Sequence, residues 1–248
     1  MFAYSYTMIT MRFTKNTKQI ALLIDPDKTT ADQLMSIISI SIESEVDLFL
    51  VGSSLLLQNS VDWAVSLIKS STTIPVYLFP GNVMQVSNKA DGILLLSLIS
   101  GRNAEMLIGQ HVIAAPALKA ANFDIVSTGY ILIESGATTS VEYMSNTRPI
   151  PSNKHDIAVC TAMAGEQLGM KSIYLEAGSG AITPVPLTLI SEVKKAISIP
   201  IWVGGGIKTP EDARKACIAG ADIIVIGSAA EENITSIKSI SNTIHQLN

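Results

Sequence analysis

A glutamate at the end of one short apolar run is the first candidate for chemistry. Glu176 ends the run SIYLE, and Tyr174 stands two positions before it. Because side chains alternate between the two faces of a strand, Tyr174 and Glu176 point to the same side, and Gly178 just beyond them allows a ligand to approach. A carboxylate directed into a cleft is a candidate general base. The alternative is a buried structural carboxylate paired with a lysine.

A second carboxylate lies near a hydroxyl at the ends of two earlier apolar runs. Asp25 begins the stretch DPDK after QIALLI, and Ser53 follows the glycine after VDLFLV. A carboxylate and a hydroxyl could hold Mg²⁺ that keeps several waters and bridges to substrate phosphates. The alternative is that Asp25, Asp27 and Ser53 cap helices or turns. Lys28 could pair with a carboxylate or with a diphosphate.

Two glycine-containing turns follow the last two apolar runs. Gly204, Gly205 and Gly206 come after IPIWV, and Gly227 and Ser228 come after ADIIVI. In barrels of alternating strands and helices, loops after the seventh and eighth strands commonly bind phosphate through backbone N–H groups and a helix N-terminus. The paired spacing therefore predicts a phosphate site, although glycines at these places could also serve only tight turns.

Composition excludes several other classes of function. The formal charge of −4 gives no basic footprint for nucleic acid. The three histidines, His111, His155 and His245, do not cluster, so neither a zinc site nor a Ser-His-Asp triad is indicated. Cys160 and Cys217 have no metal-ligand spacing and suit a reducing cytoplasm. No apolar run is long enough for a transmembrane span.

Elements that would position these residues alternate regularly along the chain. Short apolar runs are followed by segments of helical period, close to eight times over. We therefore predict an α/β fold, a single (β/α)₈ TIM barrel spanning residues 1–248, with an open doubly wound sheet as the competing architecture. Thr209 before Pro210 and the later Gly220 are typical of the start and end of a helix.

Three segments depart from this regularity or end it. Residues 80–91 are too short and polar for an ordinary barrel helix, so we expect a loop or a very short, irregular third helical segment. Residues 135–153 lack periodicity and are expected to form a long loop after the fifth strand, with no role that the sequence assigns. The last helix is expected from about Glu231 to Leu247.

Six motifs spread from the first run to the last resemble the geranylgeranylglyceryl phosphate synthase family. They are LIDPDK at 23–28, VGSS at 51–54, FPGN at 79–82, YLEAGSGA at 174–181, GGGIKTPEDA at 204–213 and VIGSA at 225–229. The resemblance implies Mg²⁺-dependent transfer of a prenyl group, most simply from geranylgeranyl diphosphate, to the 3-hydroxyl of sn-glycerol 1-phosphate. Leu23 replaces the lysine of a bacterial branch, which favours an archaeal-like branch.

The resemblance also implies roles for individual residues. Asp25 and Ser53 fall on the magnesium positions, and Glu176 with Tyr174 forms the expected catalytic pair. The glycerol-phosphate positions are Tyr174, Leu175, Glu176, Ala177, Gly178, Ser179, Gly180, Gly204, Gly205, Gly227 and Ser228. The apolar stretch at 93–96 could line a prenyl groove beside the irregular third segment, or could be plain barrel core.

Partners and location are also expected from the resemblance. It implies a homo-oligomer, at least a dimer, and transient contact with a membrane surface, because the product would be a lipid precursor. One competing hypothesis is another phosphate-binding barrel enzyme, an isomerase or lyase of amino-acid biosynthesis. Such enzymes usually use two facing acids, and the second would have to be Glu134 or Glu176. The other is a catalytically silent barrel that binds a phosphometabolite.

Overall fold

Eight parallel strands close into a barrel, with each strand paired to its two neighbours in chain order. The structure, a computed structural model, describes residues 17–58, 60–227 and 234–248. This closure confirms the predicted (β/α)₈ barrel over the open sheet. The strands are β1 Gln19–Ile24, β2 Leu48–Val51, β3 Val76–Leu78, β4 Gly92–Leu98, β5 Asp124–Leu132, β6 Ser172–Glu176, β7 Ile201–Gly204 and β8 Ile223–Ile226.

Helices follow most of the strands and cover the outside of the barrel. Those within the described residues are α1 Ala31–Glu43, α2 Val61–Ser71, α3 Gln110–Ala120, α4 Ser140–Ser145, α5 His155–Gln167, α6 Leu187–Ala196, α7 Pro210–Ala219 and α8 Ser236–His245. A π-helical turn, Glu105–Gly109, leads directly into α3. The α7 boundaries are as predicted: the Thr209 side chain accepts from the Asp212 N–H, and Gly220 follows the last turn.

Strand alternation divides the apolar side chains into two layers. Inward residues such as Leu50, Tyr174 and Trp202 fill the barrel interior, whereas outward residues such as Ile173 and Leu175 pack against the helices. Both faces of the sheet are buried, which explains the nearly continuous apolar runs of the sequence. The two layers fix which side chains can reach the open end of the barrel.

Two irregular connections were predicted, and one prediction was wrong in part. The link from β3 to β4 contains no helix, as expected. Residues 135–153 are not simply a loop, because α4 lies within them and Ile150 forms a β-bridge with Ile133. The Thr139 side chain caps α4 by accepting from the Glu142 N–H. A six-residue helix spans too few turns to give a periodic pattern.

Other predictions extend past the described residues. The last helix was predicted from about Glu231, but residues 231–233 lie outside the described ones, and the described helix is α8, Ser236–His245. That residues 1–248 form one domain stays a prediction. Among the described helices, none is both long and apolar enough to cross a bilayer.

Candidate active site

A cavity of about 430 Å³ opens at the carboxyl ends of the strands. Its lining gathers Asp25 and Ser53 from the ends of β1 and β2 with Tyr174 and Glu176 from β6. Four of the predicted glycine-loop residues also line it, namely Gly178, Ser179, Gly205 and Gly227. Strands two and six stand four places apart in a ring of eight, so the two predicted sites face each other across one mouth.

Glu176 is a buried carboxyl group, only 6% exposed. Burial raises its pKa from 4.5 to about 7, against the lowering effect of the Gly178 N–H and of the Tyr174 and Tyr130 hydroxyls. The Gly178 N–H donates to Glu176 Oε1 over 2.6 Å. A carboxyl group that is half ionised near neutral pH can accept a proton during a reaction and release it afterwards.

Aromatic rings form the floor beneath this carboxyl group. Tyr174 stacks on Tyr130 and on Trp202, with ring centroids 5.2 Å and 6.3 Å apart, and Phe79 lies 5.2 Å from Tyr174. Burial, and then the charge of Glu176, raise the pKa of both tyrosine hydroxyls well above the usual value. Both hydroxyls therefore stay protonated as hydrogen-bond donors.

Only one of the two tyrosines was predicted from the sequence. Tyr174 was predicted as a site residue, and its buried hydroxyl lies beside Glu176, whose pKa it lowers. Tyr130 was missed, although it pairs in register with Tyr174 on the neighbouring strand. Its signal was the alternation of β5, which puts Tyr130 on the inward face, but the uncertain end of that run obscured it.

Glycines after β7 are required by the Glu176 side chain as well as by any ligand. A Cβ placed on Gly205 would lie 2.5 Å from Glu176 Oε1, and one on Gly204 would lie 2.2 Å from the Tyr174 hydroxyl. Gly205 also has a positive φ of 80°, which side-chain-bearing residues rarely adopt. The loop can therefore lie directly against the carboxylate only with glycine at both positions.

The second predicted pair, Asp25 and Ser53, is in direct contact. Ser53 Oγ donates to Asp25 Oδ2 over 2.9 Å, and the same oxygen lies 3.0 Å from the Lys28 ammonium nitrogen. Asp25 is 7% exposed, whereas the Lys28 side chain is 62% exposed. The carboxylate thus already faces one cation, which identifies this corner as a place that favours positive charge.

Asp27 has a structural role in a turn, which was the alternative to a role in the metal site. Its carboxylate accepts hydrogen bonds from the Leu57 N–H, from the Gln58 N–H and from Ser60 Oγ. The hydrogen bond from the Ser60 hydroxyl is the largest influence on the Asp27 pKa and lowers it, whereas burial acts in the opposite direction. Asp27 therefore fastens the loop between β2 and α2 beside the mouth.

Some predicted site residues do not line the cavity. The side chains of Leu175 and Ala177 pack in the outer layer against helices, as strand alternation requires. Gly204 and Gly180 lie outside the lining, and a Cβ on Gly180 would meet nothing within 4 Å. Ser228 lies outside the described residues. Only the backbones of Leu175 and Ala177 could contribute to a ligand site.

A second, apolar cavity of about 200 Å³ continues from the mouth. It shares Phe79, Tyr130 and Val141 with the first cavity, and Leu96, Leu98 and Met106 extend it away from the polar groups. Of the stretch at 93–96, Leu96 lines this groove, Leu94 lies in the barrel interior, and Ile93 and Leu95 face the helices. Most of that stretch is therefore barrel core, and contact of Leu96 with a prenyl chain stays a prediction.

Comparison with known proteins shows to which family this chain belongs. The sequence matches the PcrB family over residues 11–244. A geranylgeranylglyceryl phosphate synthase of Chitinophaga pinensis is 49% identical, over 97% of this chain and 95% of the relative. The chain belongs to the PcrB family. A second relative of the same name, from Methanosphaera stadtmanae, is 40% identical over 90% of this chain and 92% of its own.

A solved structure extends the likeness to three dimensions. The geranylgeranylglyceryl phosphate synthase of Thermoplasma acidophilum, solved in complex with its substrate sn-glycerol-1-phosphate, superposes with a TM-score of 0.91 at 32% identity. The match covers 96% of this chain and the whole of that one. Membership of the PcrB family confirms the resemblance that the six sequence motifs indicated.

Proposed function

We propose that this chain is a prenyltransferase that joins the 3-hydroxyl of sn-glycerol 1-phosphate to an allylic prenyl diphosphate, most simply geranylgeranyl diphosphate. The observation that carries the proposal is the position of Glu176. This buried carboxyl group, with a pKa of about 7, shares one cavity with glycine loops, with the Asp25–Ser53 pair and with the entrance of an apolar groove. Such a reaction requires a base, a site for the acceptor's phosphate, a cation site and a place for the prenyl chain, and these four features could supply them.

The glycerol phosphate would bind to the loops after β6, β7 and β8. Ser179, Gly205 and Gly227 line this side of the cavity, where backbone N–H groups can approach a phosphate, whereas the Gly178 N–H already donates to Glu176 Oε1. The relative from Thermoplasma acidophilum was solved with sn-glycerol-1-phosphate, which supports this choice of acceptor. The Tyr174 side chain lines the same cavity and would contact the bound ligand from its floor, while its hydroxyl acts on Glu176.

Mg²⁺ would be the cofactor, held by Asp25 and Ser53. The described residues contain no cluster of three metal-ligating His, Cys, Asp or Glu side chains. One carboxylate and one hydroxyl are nevertheless the donors expected of a Mg²⁺ site that takes its remaining ligands from water and substrate phosphates. Asp25 Oδ2 already faces the Lys28 ammonium, so the oxygen suits a cation. Bound there, the ion would offset the negative charge of the departing diphosphate.

The chain's own residues would then carry the transfer. Glu176 accepts the proton of the glycerol 3-hydroxyl as its oxygen forms a bond to the allylic carbon. The bond from that carbon to the diphosphate oxygen breaks, and diphosphate leaves with the electron pair toward the Lys28 ammonium, beside the place where Asp25 and Ser53 would hold the cation. The rings of Phe79 and Tyr130 stand between the polar mouth and the groove, where they exclude water from the reacting carbon.

The prenyl chain would occupy the groove that begins at Phe79 and runs past Leu96 to Met106. Exposed apolar side chains lie on several connections that follow the strands, with Leu57, Met84 and Tyr143 of α4 at least 80% exposed. These residues would permit the transient contact with a membrane surface that an amphiphilic product requires. We expect exchange of donor and product there.

Assembly and location belong to the same proposal. Exposed apolar side chains on α3, such as Val112 and Ile113, would suit contact with a second copy in a homo-oligomer. The two free cysteines, Cys160 and Cys217, fit a reducing cytoplasm. Light scattering of the purified chain tests the first expectation, and fractionation of cells tests the second.

The competing isomerase or lyase would need two acids facing each other across the mouth. Asp25 and Glu176 both line that cavity, whereas Glu134 lies in a separate pocket. What favours the transferase is the set of relatives named geranylgeranylglyceryl phosphate synthase, which are 49% and 40% identical to this chain. A silent phosphate-binding barrel would need neither the buried Glu176 nor the Asp25–Ser53 pair. Neither alternative is therefore proposed.

A transfer assay tests the proposed function. The chain is incubated with Mg²⁺, sn-glycerol 1-phosphate and radiolabelled prenyl diphosphates of several lengths, and organic-extractable phosphoether is counted. We expect product with at least one prenyl length and none without the acceptor. Absence of extractable product with every donor would rule out the proposal.

A further inference from the structure

Gln85 is a buried polar residue whose side chain reaches the candidate metal corner from behind. It lies on the connection between β3 and β4, is 2% exposed, and lines neither the mouth nor the groove. Its amide spans 32 positions of sequence to reach Ser53. A buried amide at such a place needs partners for every polar atom, and those partners define its role.

The amide pairs with both backbone groups of Ser53. Gln85 Oε1 accepts from the Ser53 N–H over 3.1 Å, and Gln85 Nε2 donates to the Ser53 carbonyl over 2.7 Å. The same Oε1 also accepts from the Gly81 N–H over 3.2 Å. One side chain thereby fixes the main chain of Ser53 in the way that a neighbouring strand would, and it joins the loops after β2 and β3.

Close packing of these loops leaves little freedom for alternatives. A Cβ on Gly52 would lie 2.0 Å from the Phe79 carbonyl oxygen and 3.2 Å from Gln85 Oε1. A Cβ on Gly81 would lie 2.3 Å from the Ser53 carbonyl oxygen. Both glycines are required for the loops to approach, and Gln85 supplies the hydrogen bonds that hold them there.

We infer that Gln85 is a positioning residue for the donor reaction, acting through Ser53. By fixing the Ser53 backbone, it sets the hydroxyl 2.9 Å from Asp25 Oδ2 and so preorganises the pair that would hold the divalent cation and the diphosphate. The inference rests on the proposed function. It adds a residue that touches neither cation nor substrate.

The test measures cation binding directly, with Mn²⁺ as the probe and electron paramagnetic resonance as the readout. Gln85→Met keeps the side chain's length and removes its three hydrogen bonds. We expect Mn²⁺ affinity to fall about 10- to 100-fold, the usual cost of losing a residue that orients a metal ligand. The KM for sn-glycerol 1-phosphate should change little, because its loops follow other strands.

A double-mutant cycle separates positioning from general stability. If Gln85 acts through the Ser53 hydroxyl, adding Gln85→Met to Ser53→Ala should cost little further Mn²⁺ affinity. Ser241→Ala is the matched control, since it removes another buried hydrogen bond, from Ser241 Oγ to the Ser44 carbonyl, away from the mouth. It should lower Tm and leave Mn²⁺ affinity unchanged.

Three results would overturn the inference: unchanged Mn²⁺ affinity in Gln85→Met, fully additive losses in the double variant, or an equal loss in Ser241→Ala. If Gln85→Met does not fold, the same comparisons use Gln85→Glu, which keeps the accepting oxygen and loses the donating amide. Absence of Mn²⁺ binding by the wild-type chain would instead count against the proposed metal site, so the two failures are distinguishable.

Discussion

The buried position of Glu176 at the mouth lowers the stability of the folded chain at neutral pH, because burial disfavours the charged form of the carboxyl group. Its pKa is raised to about 7 in the folded chain, against roughly 4.3 in an unfolded one. The folded chain therefore binds the proton more tightly than the unfolded chain. The resulting stability is fully present below the unfolded pKa and is lost as the pH rises through about 7.

A pH series of unfolding measurements tests this cost. Between pH 4 and pH 8, Glu176 should remove about 3 kcal/mol of the wild-type free energy of unfolding. In Glu176→Gln that component disappears, so the variant should gain stability relative to wild type as the pH rises. Glu211→Gln, at a half-exposed helix position, should follow wild type. A constant difference between wild type and Glu176→Gln would contradict the raised pKa.

The same substitution tests the role of Glu176 in the reaction. Glutamine keeps the shape and can accept from the Gly178 N–H, but it cannot take the proton of the 3-hydroxyl. Turnover should fall about 10²- to 10⁴-fold, whereas the Kd for sn-glycerol 1-phosphate, measured by calorimetry, should change by less than about fivefold. An unchanged turnover would remove Glu176 as the base.

At the scale of single elements, the loop after β7 must pass directly against the Glu176 carboxylate. Gly205 allows this by combining a positive φ with the absence of a side chain. The two requirements can be separated, because Gly169 has a similar φ of 87° and nothing within 4 Å of a Cβ placed on it. The pair distinguishes backbone strain from collision with the site.

Alanine at each of these glycines gives a matched comparison. Gly169→Ala should cost roughly 1–2 kcal/mol of unfolding free energy from the left-handed backbone alone, with turnover unchanged. Gly205→Ala should cost more, since its Cβ would lie 2.5 Å from Glu176 Oε1, and turnover should fall. Equal losses of stability and equal turnover would mean that the loop yields and that the contact is unimportant.

The elements that could be predicted from the sequence are those that leave a local residue pattern. Strand runs and the helix limits at Thr209 and Gly220 were predictable because burial on both faces of a strand, and capping, leave local patterns. The helix α4 was not, since six residues held by one cap give no period. Gln85 was invisible for another reason: its partner Ser53 is 32 positions away, and only the closed barrel brings them together.

The whole molecule combines a polar mouth, an apolar groove and a barrel that holds them together. The candidate site was largely predictable because Asp25 and Ser53 follow recognisable strands, and Tyr174 and Glu176 lie in the last residues of another. Tyr130 and the course of the groove were not, because they depend on which strands become neighbours and how far the loops stand apart. In the proposed reaction, donor length would therefore depend on the assembled barrel.

A bulky residue in the groove tests this view. Leu96→Trp should obstruct the apolar cavity beyond the mouth, where Leu96 is part of the lining. The ratio of kcat/KM for geranylgeranyl over geranyl diphosphate should fall about tenfold or more, since overpacking costs roughly 1–3 kcal/mol. Retained activity with the short donor serves as the internal control. An unchanged ratio would place the prenyl chain elsewhere.

In the proposed reaction, one cavity couples loss of diphosphate to formation of an ether on glycerol phosphate. Phosphorus NMR follows both events in a single sample containing the chain, Mg²⁺, geranylgeranyl diphosphate and sn-glycerol 1-phosphate. We predict that both substrates disappear together while free diphosphate and a new phosphomonoester, the prenyl ether, appear in equal amounts. Diphosphate released without consumption of glycerol phosphate, or no change in either substrate, would contradict the account.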